Sequence, residues 1–155
     1  MTVEEAGVAR TGFPKPFPNV ASNVLEQFQM KGKVVVVNGA SDGIGLAVAT
    51  AMAEAGADVA LWYNSNDAAI KRAEEISKEF GVKTKAYQVS VENPEVVERT
   101  MDQVVKDFGK IDVFVANAGM AISKPLLEQT LPEYDKQMAV NGSSNMRQKC
   151  LLSRS

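Results

Sequence analysis

Three glycines, Gly39, Gly43 and Gly45, fall in the stretch NGASDGIG, between a run of valines and a segment of small residues. At that spacing, G-x-x-x-G-x-G, one glycine permits a tight turn and one lets backbone approach a diphosphate. The remaining one lets a helix lie close on a strand. The helix that opens there offers free N–H groups and a partial positive charge to phosphate oxygens. Ser41, Asp42 and Ile44 stand in the same turn. Further on, WYNSN places Tyr63, Asn64, Ser65 and Asn66 about 20 residues past the glycines, where an NAD site carries an acid for the ribose hydroxyls. No carboxylate there repels a 2′-phosphate, and three short polar side chains could hydrogen-bond it, so NADP(H) is expected over NAD(H). The loop has no Arg, however, and Asp42 beside the turn opposes an additional anion. A third stretch, VANAG, ends in Asn117, Ala118 and Gly119, which let the chain turn across a cofactor while the Asn117 amide ties neighbouring strands. A plain strand-to-loop turn has the same residues.

These motifs need elements to hold them at one place, and the chain alternates between two periodicities that supply them. KVVVVNG is an almost wholly apolar run, the pattern of a strand buried on both faces. GIGLAVATAMAEAG reads as a helix, ADVALWY as a strand, and NDAAIKRAEEISKEFG as a helix burying Ile70, Ala73, Ile76 and Phe80. VKTKAYQVS is a third strand. NPEVVERTMDQVVKDFG opens with Pro94 in its first turn and presents Val97, Met101, Val104, Val105 and Phe108 to the core. KIDVFVANAG is a fourth strand and LPEYDKQMAVN opens another helix. Strictly alternating strands and helices predict an α/β fold. It is a Rossmann-type doubly wound parallel sheet, incomplete, of about four strands with flanking helices. Ligands of such sheets bind beyond the carboxyl ends of the strands, which is where the motifs lie.

Composition narrows the function. With Lys and Arg at 17, Asp and Glu at 19 and a net charge of −2, the chain carries no footprint for nucleic acid or an anionic membrane, and neither is expected as a partner. There is no histidine, which rules out His-based triads and His-ligated metals, and no metal site is expected. The single cysteine, Cys150, fits a reducing compartment, and a cytoplasmic location is expected.

The ordered set of glycine turn, NAG after the fourth strand, and Asn141 in the following helix resembles the short-chain dehydrogenase/reductase family over roughly Met30 to Asn141. KGKVVVVNGASDGIG, KDFGKIDVFVANAG and YDKQMAVN are similar, more narrowly, to the NADPH-dependent sorbose, xylulose, mannitol and carbonyl reductases of fungi. The resemblance implies a nicotinamide dinucleotide held by Gly39, Ser41, Asp42, Gly43, Ile44, Gly45, Tyr63, Asn64, Ser65, Asn66, Asn117, Ala118 and Gly119. It adds Ser90 and Val91 at the adenine, where many members have an Asp in place of Ser90. Asn38 stands in place of the usual Thr, and its amide could fasten the turn instead. The family's catalytic group is a Ser with Tyr-x-x-x-Lys. Here Tyr63 is followed four positions later by Asp67, Tyr87 by Val91 and Tyr134 by Met138. Of that group only Asn141 has a counterpart, in a position that supports a proton relay.

The expected organisation is an extended, proline-containing arm over 1–30, the NADP-binding half of a short-chain reductase over 31–141, and a non-family, disordered tail over 142–155. The chain is expected to be truncated before the catalytic Ser, Tyr and Lys. Three readings remain open. The full-length form reduces a sugar ketone or other small carbonyl compound, handling carbonyl or polyol substrates, with a homo-oligomer as its expected assembly. Alternatively, the chain is an inactive nucleotide-binding or subunit-capping module. The third is a non-functional truncated product.

Overall fold

The computed structural model describes residues 23–143. The first strand, β1 (Val34–Asn38), is buried at every position, as the unbroken valine run requires. It is flanked by β2 (Asp58–Tyr63) and β4 (Val113–Val115), and β3 (Thr84–Gln88) lies outside β2, so the order is β3-β2-β1-β4. All pairings are parallel, with Val36 opposite Ala60 on one side and Phe114 on the other. Right-handed crossovers connect such strands through helices: α2 (Gly43–Glu54), α3 (Ala68–Phe80) and α4 (Pro94–Phe108). After β4 the chain passes a 3₁₀ turn (Leu126–Glu128) to α5 (Leu131–Met138), which continues into a π-helical turn (Ala139–Ser143).

The period of two along each strand divides the core into two layers. Val35, Val37, Val59 and Leu61 face Ala49 and Ala53 of α2 and Ala73 and Ile76 of α3. Val36, Ala60, Trp62 and Tyr87 face Val97, Met101 and Val104 of α4. On α2 the buried residues are Gly45, Ala49 and Ala53, one per turn, and their small size brings the helix axis close to the sheet. Pro94 opens α4, and the Asn93 side chain accepts from the N–H groups of Glu95 and Val96 at 3.0 and 3.3 Å.

Some sequence expectations are corrected. Ile70 is 48% exposed and Val105 41% exposed. Ala69, Ala73, Ile76 and Phe80 form the inward stripe of α3, and Val97, Met101, Val104 and Phe108 that of α4. Ile70 and Val105 each sit one position, about 100° of helix rotation, beyond a buried neighbour. β4 is three residues long rather than the whole of KIDVFVANAG, because the next N–H groups leave the ladder for the Asn38 side chain. Of the arm expected over 1–30, only residues 23–30 are described, and there Val24–Gln27 form one turn, α1, where Asn23 Oδ1 accepts from Leu25 N at 3.0 Å. Of the tail expected over 142–155, only Gly142 and Ser143 are described, and both lie in the π-helical turn. Residues 1–22 and 144–155, with the expectations placed on them, lie outside the described residues. Among the described residues no helix is long and apolar enough to cross a membrane. Nor does any group of three His, Cys, Asp or Glu residues form a metal-binding cluster there.

Candidate functional site

Beyond the carboxyl ends of β1, β2, β3 and β4 lies a cleft of about 510 Å³. Its lining contains every residue the sequence assigned to a dinucleotide: Gly39, Ser41, Asp42, Gly43, Ile44, Gly45, Tyr63, Asn64, Ser65, Asn66, Ser90, Val91, Asn117, Ala118 and Gly119. Asn141 is not on the lining.

The three glycines divide the work. Gly39 has φ +64°, and a Cβ there would meet Ala118 Cα at 3.1 Å, so the turn needs a residue that is both left-handed and without a side chain. At Gly45 a Cβ would stand 2.1 Å from the Gly39 carbonyl oxygen and 2.6 Å from Asn117 Nδ2, which makes this glycine the point of closest helix–strand approach. Gly43, at φ +54°, has nothing within 4 Å of where its Cβ would be. The protein places no atom against that position, and this open backbone at the start of α2 is the cradle a diphosphate would fill. Asp42, the N-cap of α2, makes no side-chain cap bond, so it leaves the first-turn N–H groups to other acceptors. The residues present therefore fit a dinucleotide.

The turn is fastened to β4 by two asparagines. Asn38 is fully buried, and its Oδ1 accepts from Asn117 N at 2.5 Å and from Ala118 N. In return Asn117 Nδ2 donates to the carbonyls of Asn38 and Gly39 at 3.1 and 3.2 Å. These bonds end the β1–β4 ladder and carry the chain across the cleft floor. A buried amide with its hydrogen bonds made is stable; the same groups unpaired would each cost about 1–3 kcal/mol.

At the other end of the cleft Tyr63 is buried and its carbonyl accepts from Val89 N at 2.7 Å. Asn64, Ser65 and Asn66 are exposed on the rim. Asn66 Oδ1 accepts from Ala68 N at 3.2 Å, and Asn66 Nδ2 reaches Asp42 Oδ2 at 3.4 Å. The carboxylate that opposed a further anion is thus turned toward an amide donor. Ser90 and Val91 follow β3 in a turn closed by Asn93 N donating to the Ser90 carbonyl at 3.1 Å.

Asn141 sits in the π-helical turn and holds the loop after β4. Its Oδ1 accepts from Met120 N and its Nδ2 donates to the Met120 carbonyl, both at 2.8 Å. The lining also includes Asn38, Trp62, Val89, Glu92, Met120, Lys136 and Val140. Trp62 and Val89 precede residues already assigned, Glu92 and Met120 follow others, and Lys136 and Val140 are four residues apart on one face of a helix. That spacing is the signal from which the last two are legible.

An open parallel sheet with a glycine turn at the end of β1 and an Asn-Ala-Gly turn at the end of β4 defines a dinucleotide-binding half of the Rossmann class. The profile of the short chain dehydrogenase family matches residues 33–152, and the chain belongs to that family. It is 53% identical over 110 residues to a probable NADP-dependent mannitol dehydrogenase of Yarrowia lipolytica, covering 71% of this chain and 39% of that protein. Similarity to a sorbose reductase of Candida albicans is 54% over 108 residues, covering 70% of this chain and 38% of the relative. Among solved structures, the NADPH-dependent 3-quinuclidinone reductase of Rhodotorula rubra superposes with a TM-score of 0.86 at 40% identity, over 92% of this chain and 54% of that one. The L-sorbose reductase of Gluconobacter frateurii, in complex with NADPH and L-sorbose, gives 0.77 at 29% identity, over 82% and 48%. The chain therefore spans about half, or less, of the length of these proteins.

Proposed function

We propose that these residues are the NADPH-gripping half of a short-chain reductase whose full-length form reduces a sugar ketone or another small carbonyl compound. The observation that carries this reading is the convergence of the glycine turn, the WYNSN rim, Ser90–Val91 and the VANAG turn on one cleft. The names of the mannitol, sorbose and quinuclidinone enzymes support the substrate class and the cofactor. Bound in this cleft, the reduced dinucleotide supplies a hydride. The chain's own residues hold it: the α2 N-terminus and the open backbone at Gly43 take the diphosphate, and Ser90 and Val91 border the adenine. Asn64, Ser65 and Asn66 receive the ribose and its 2′-phosphate. Preference for NADP(H) rests on the absence of a carboxylate from that rim and on the Asn66 amide turned to Asp42.

The second reading is a binding module without turnover. It is favoured by the tyrosines, none of which is followed four residues later by Lys. In the family that pairing lowers a phenol pKa from about 10 toward the working pH, so that Tyr protonates the reduced oxygen. NADPH titration followed by intrinsic fluorescence, with a keto sugar then added, tests both. Saturable binding supports the grip, and absence of NADPH consumption supports the module. A folded chain that ignores NADPH overturns both readings.

A further inference from the structure

The loop that leaves the cleft at Gly119 is held against α5 and the π-helical turn that continues it by three side chains spaced four residues apart. Asn141 brackets the Met120 backbone at 2.8 Å on both sides, Gln137 Oε1 accepts from Ile122 N at 2.9 Å, and Glu133 accepts from Lys124 Nζ. The loop positions are two residues apart and the chains run in opposite senses. Four residues of helix rise about 6 Å, and two residues of extended chain advance about 6.6 Å, so the rungs stay in step. Along the loop, half-buried Met120 and Ile122 alternate with exposed Gly119, Ala121 and Ser123, as in an extended segment. Glu133 also accepts from the Thr130 backbone and hydroxyl at 3.0 Å, which fixes the far end of the ladder to the helix start. The near end reaches the cleft, where Gly119 and Met120 form one wall and Lys136 and Val140 of the same helical segment form part of another.

We propose that Gln137 is a positioning residue: as the middle rung of a Glu133–Gln137–Asn141 ladder, it presets the Gly119–Lys124 loop as a wall of the dinucleotide cleft. Asn141 alone pins one residue of the loop, and with Gln137 the pinning becomes a register. The placement of that loop beside a dinucleotide rests on the proposed function, whereas the ladder itself does not.

Two measurements test it on the whole chain, with Gln137→Leu, which removes the acceptor, and Gln137→Glu, which keeps it. Residue-resolved amide exchange without ligand should show the Ile122 N–H protected in the wild type and in Gln137→Glu. Gln137→Leu should exchange at least about tenfold faster at that amide, as expected for one lost hydrogen bond. NADPH affinity should weaken by about tenfold in Gln137→Leu and recover in Gln137→Glu. An Ile122 amide in the wild type no better protected than those of Ala121 and Ser123 overturns the ladder, and that result is read without either variant. NADPH affinity in a folded Gln137→Leu equal to the wild type's, or no recovery in Gln137→Glu, overturns the positioning role. A wild-type chain that does not bind NADPH while Ile122 is protected contradicts the dinucleotide reading, and with it the claim on the cleft, and leaves the ladder standing.

Discussion

Gly43 and Gly45 are two positions apart and fail differently when a methyl group is added. At Gly45 the added carbon overlaps the Gly39 carbonyl at 2.1 Å, and backbone must shift. Gly45→Ala is expected to cost about 3 kcal/mol or more of stability, at the upper end of overpacking penalties, read by urea denaturation. At Gly43 the space is empty and the cost is that of the left-handed backbone alone, about 1–2 kcal/mol. Gly43→Ala should therefore stay folded while its Cβ enters the diphosphate cradle and weakens NADPH binding by about tenfold or more in a fluorescence titration. Asn38→Leu removes the acceptor of two part-buried N–H groups, Asn117 and Ala118, and should destabilise the chain by about 1–3 kcal/mol in the same denaturation series. Asn66→Asp places an acid on the ribose rim and removes the donor facing Asp42; isothermal titration should show NADPH weakened by at least about tenfold with NADH changed less. At this scale the cleft was largely legible. The glycine turn stands between an apolar strand and a small-residue helix, and the residues that line the cleft with it lie at strand ends. The exchange of bonds between Asn38 and Asn117 was legible only in part, because a pairing across 79 residues leaves no local pattern.

Elements in this fold are tied at their ends by carboxylates, and that sets a pH window. Asp107, at the end of α4, accepts from Lys85 Nζ and the Tyr87 hydroxyl on β3, both at 2.7 Å. The Lys85 ammonium, and after it the Tyr87 hydroxyl, hold the Asp107 carboxyl down at about 2, while burial and the Asp107 charge push the Tyr87 phenol up. Asp112, before β4, is held down at about 2 by Lys110 and by the Val34 N–H, and Glu133 by Lys124 and Thr130. A carboxyl whose folded pKa lies below its unfolded value contributes stability above the unfolded value, about 4, and loses it as pH falls through the folded one. The melting temperature should therefore hold above about pH 5 and decline between about pH 4 and pH 2. Asp107→Asn should flatten that decline, and a scan with the same slope for both proteins would contradict the assignment. Helix and strand identities were readable from the change of period, but the exact buried faces were not. Ile70 and Val105 are apolar and sit beside buried residues, and only the angle at which each helix lies on the sheet turns them outward. The three-residue length of β4 was equally hidden, since what ends it is the Asn38 side chain of the neighbouring strand β1, 79 residues away in sequence.

Across the molecule the two sheet edges differ. β3 carries Lys85 and Gln88, polar residues that discourage further pairing, whereas β4 presents Val113, Phe114 and Val115, each only half-buried. On α5, Leu131, Tyr134 and Met138 are 78%, 50% and 45% exposed on one face while Glu133 and Gln137 hold the loop on another. Residues 1–155 on their own are therefore expected to self-associate as concentration rises, in sedimentation velocity. A monodisperse monomer with a sharp cooperative melt would contradict that. The cleft lies beyond the carboxyl ends of the strands, walled by the ends of β1 and β2, the start of α2, the turns after β3 and β4, and the helical segment with Lys136 and Val140. The claim that these residues grip NADPH is tested most directly by titrating NADPH into the folded wild-type chain and its Gly43→Ala variant, with intrinsic fluorescence as the readout. The expected result is saturable wild-type binding, weakened about tenfold or more in a variant that keeps its wild-type circular dichroism. Equal binding by both proteins, or none by a folded wild-type chain, would contradict the claim.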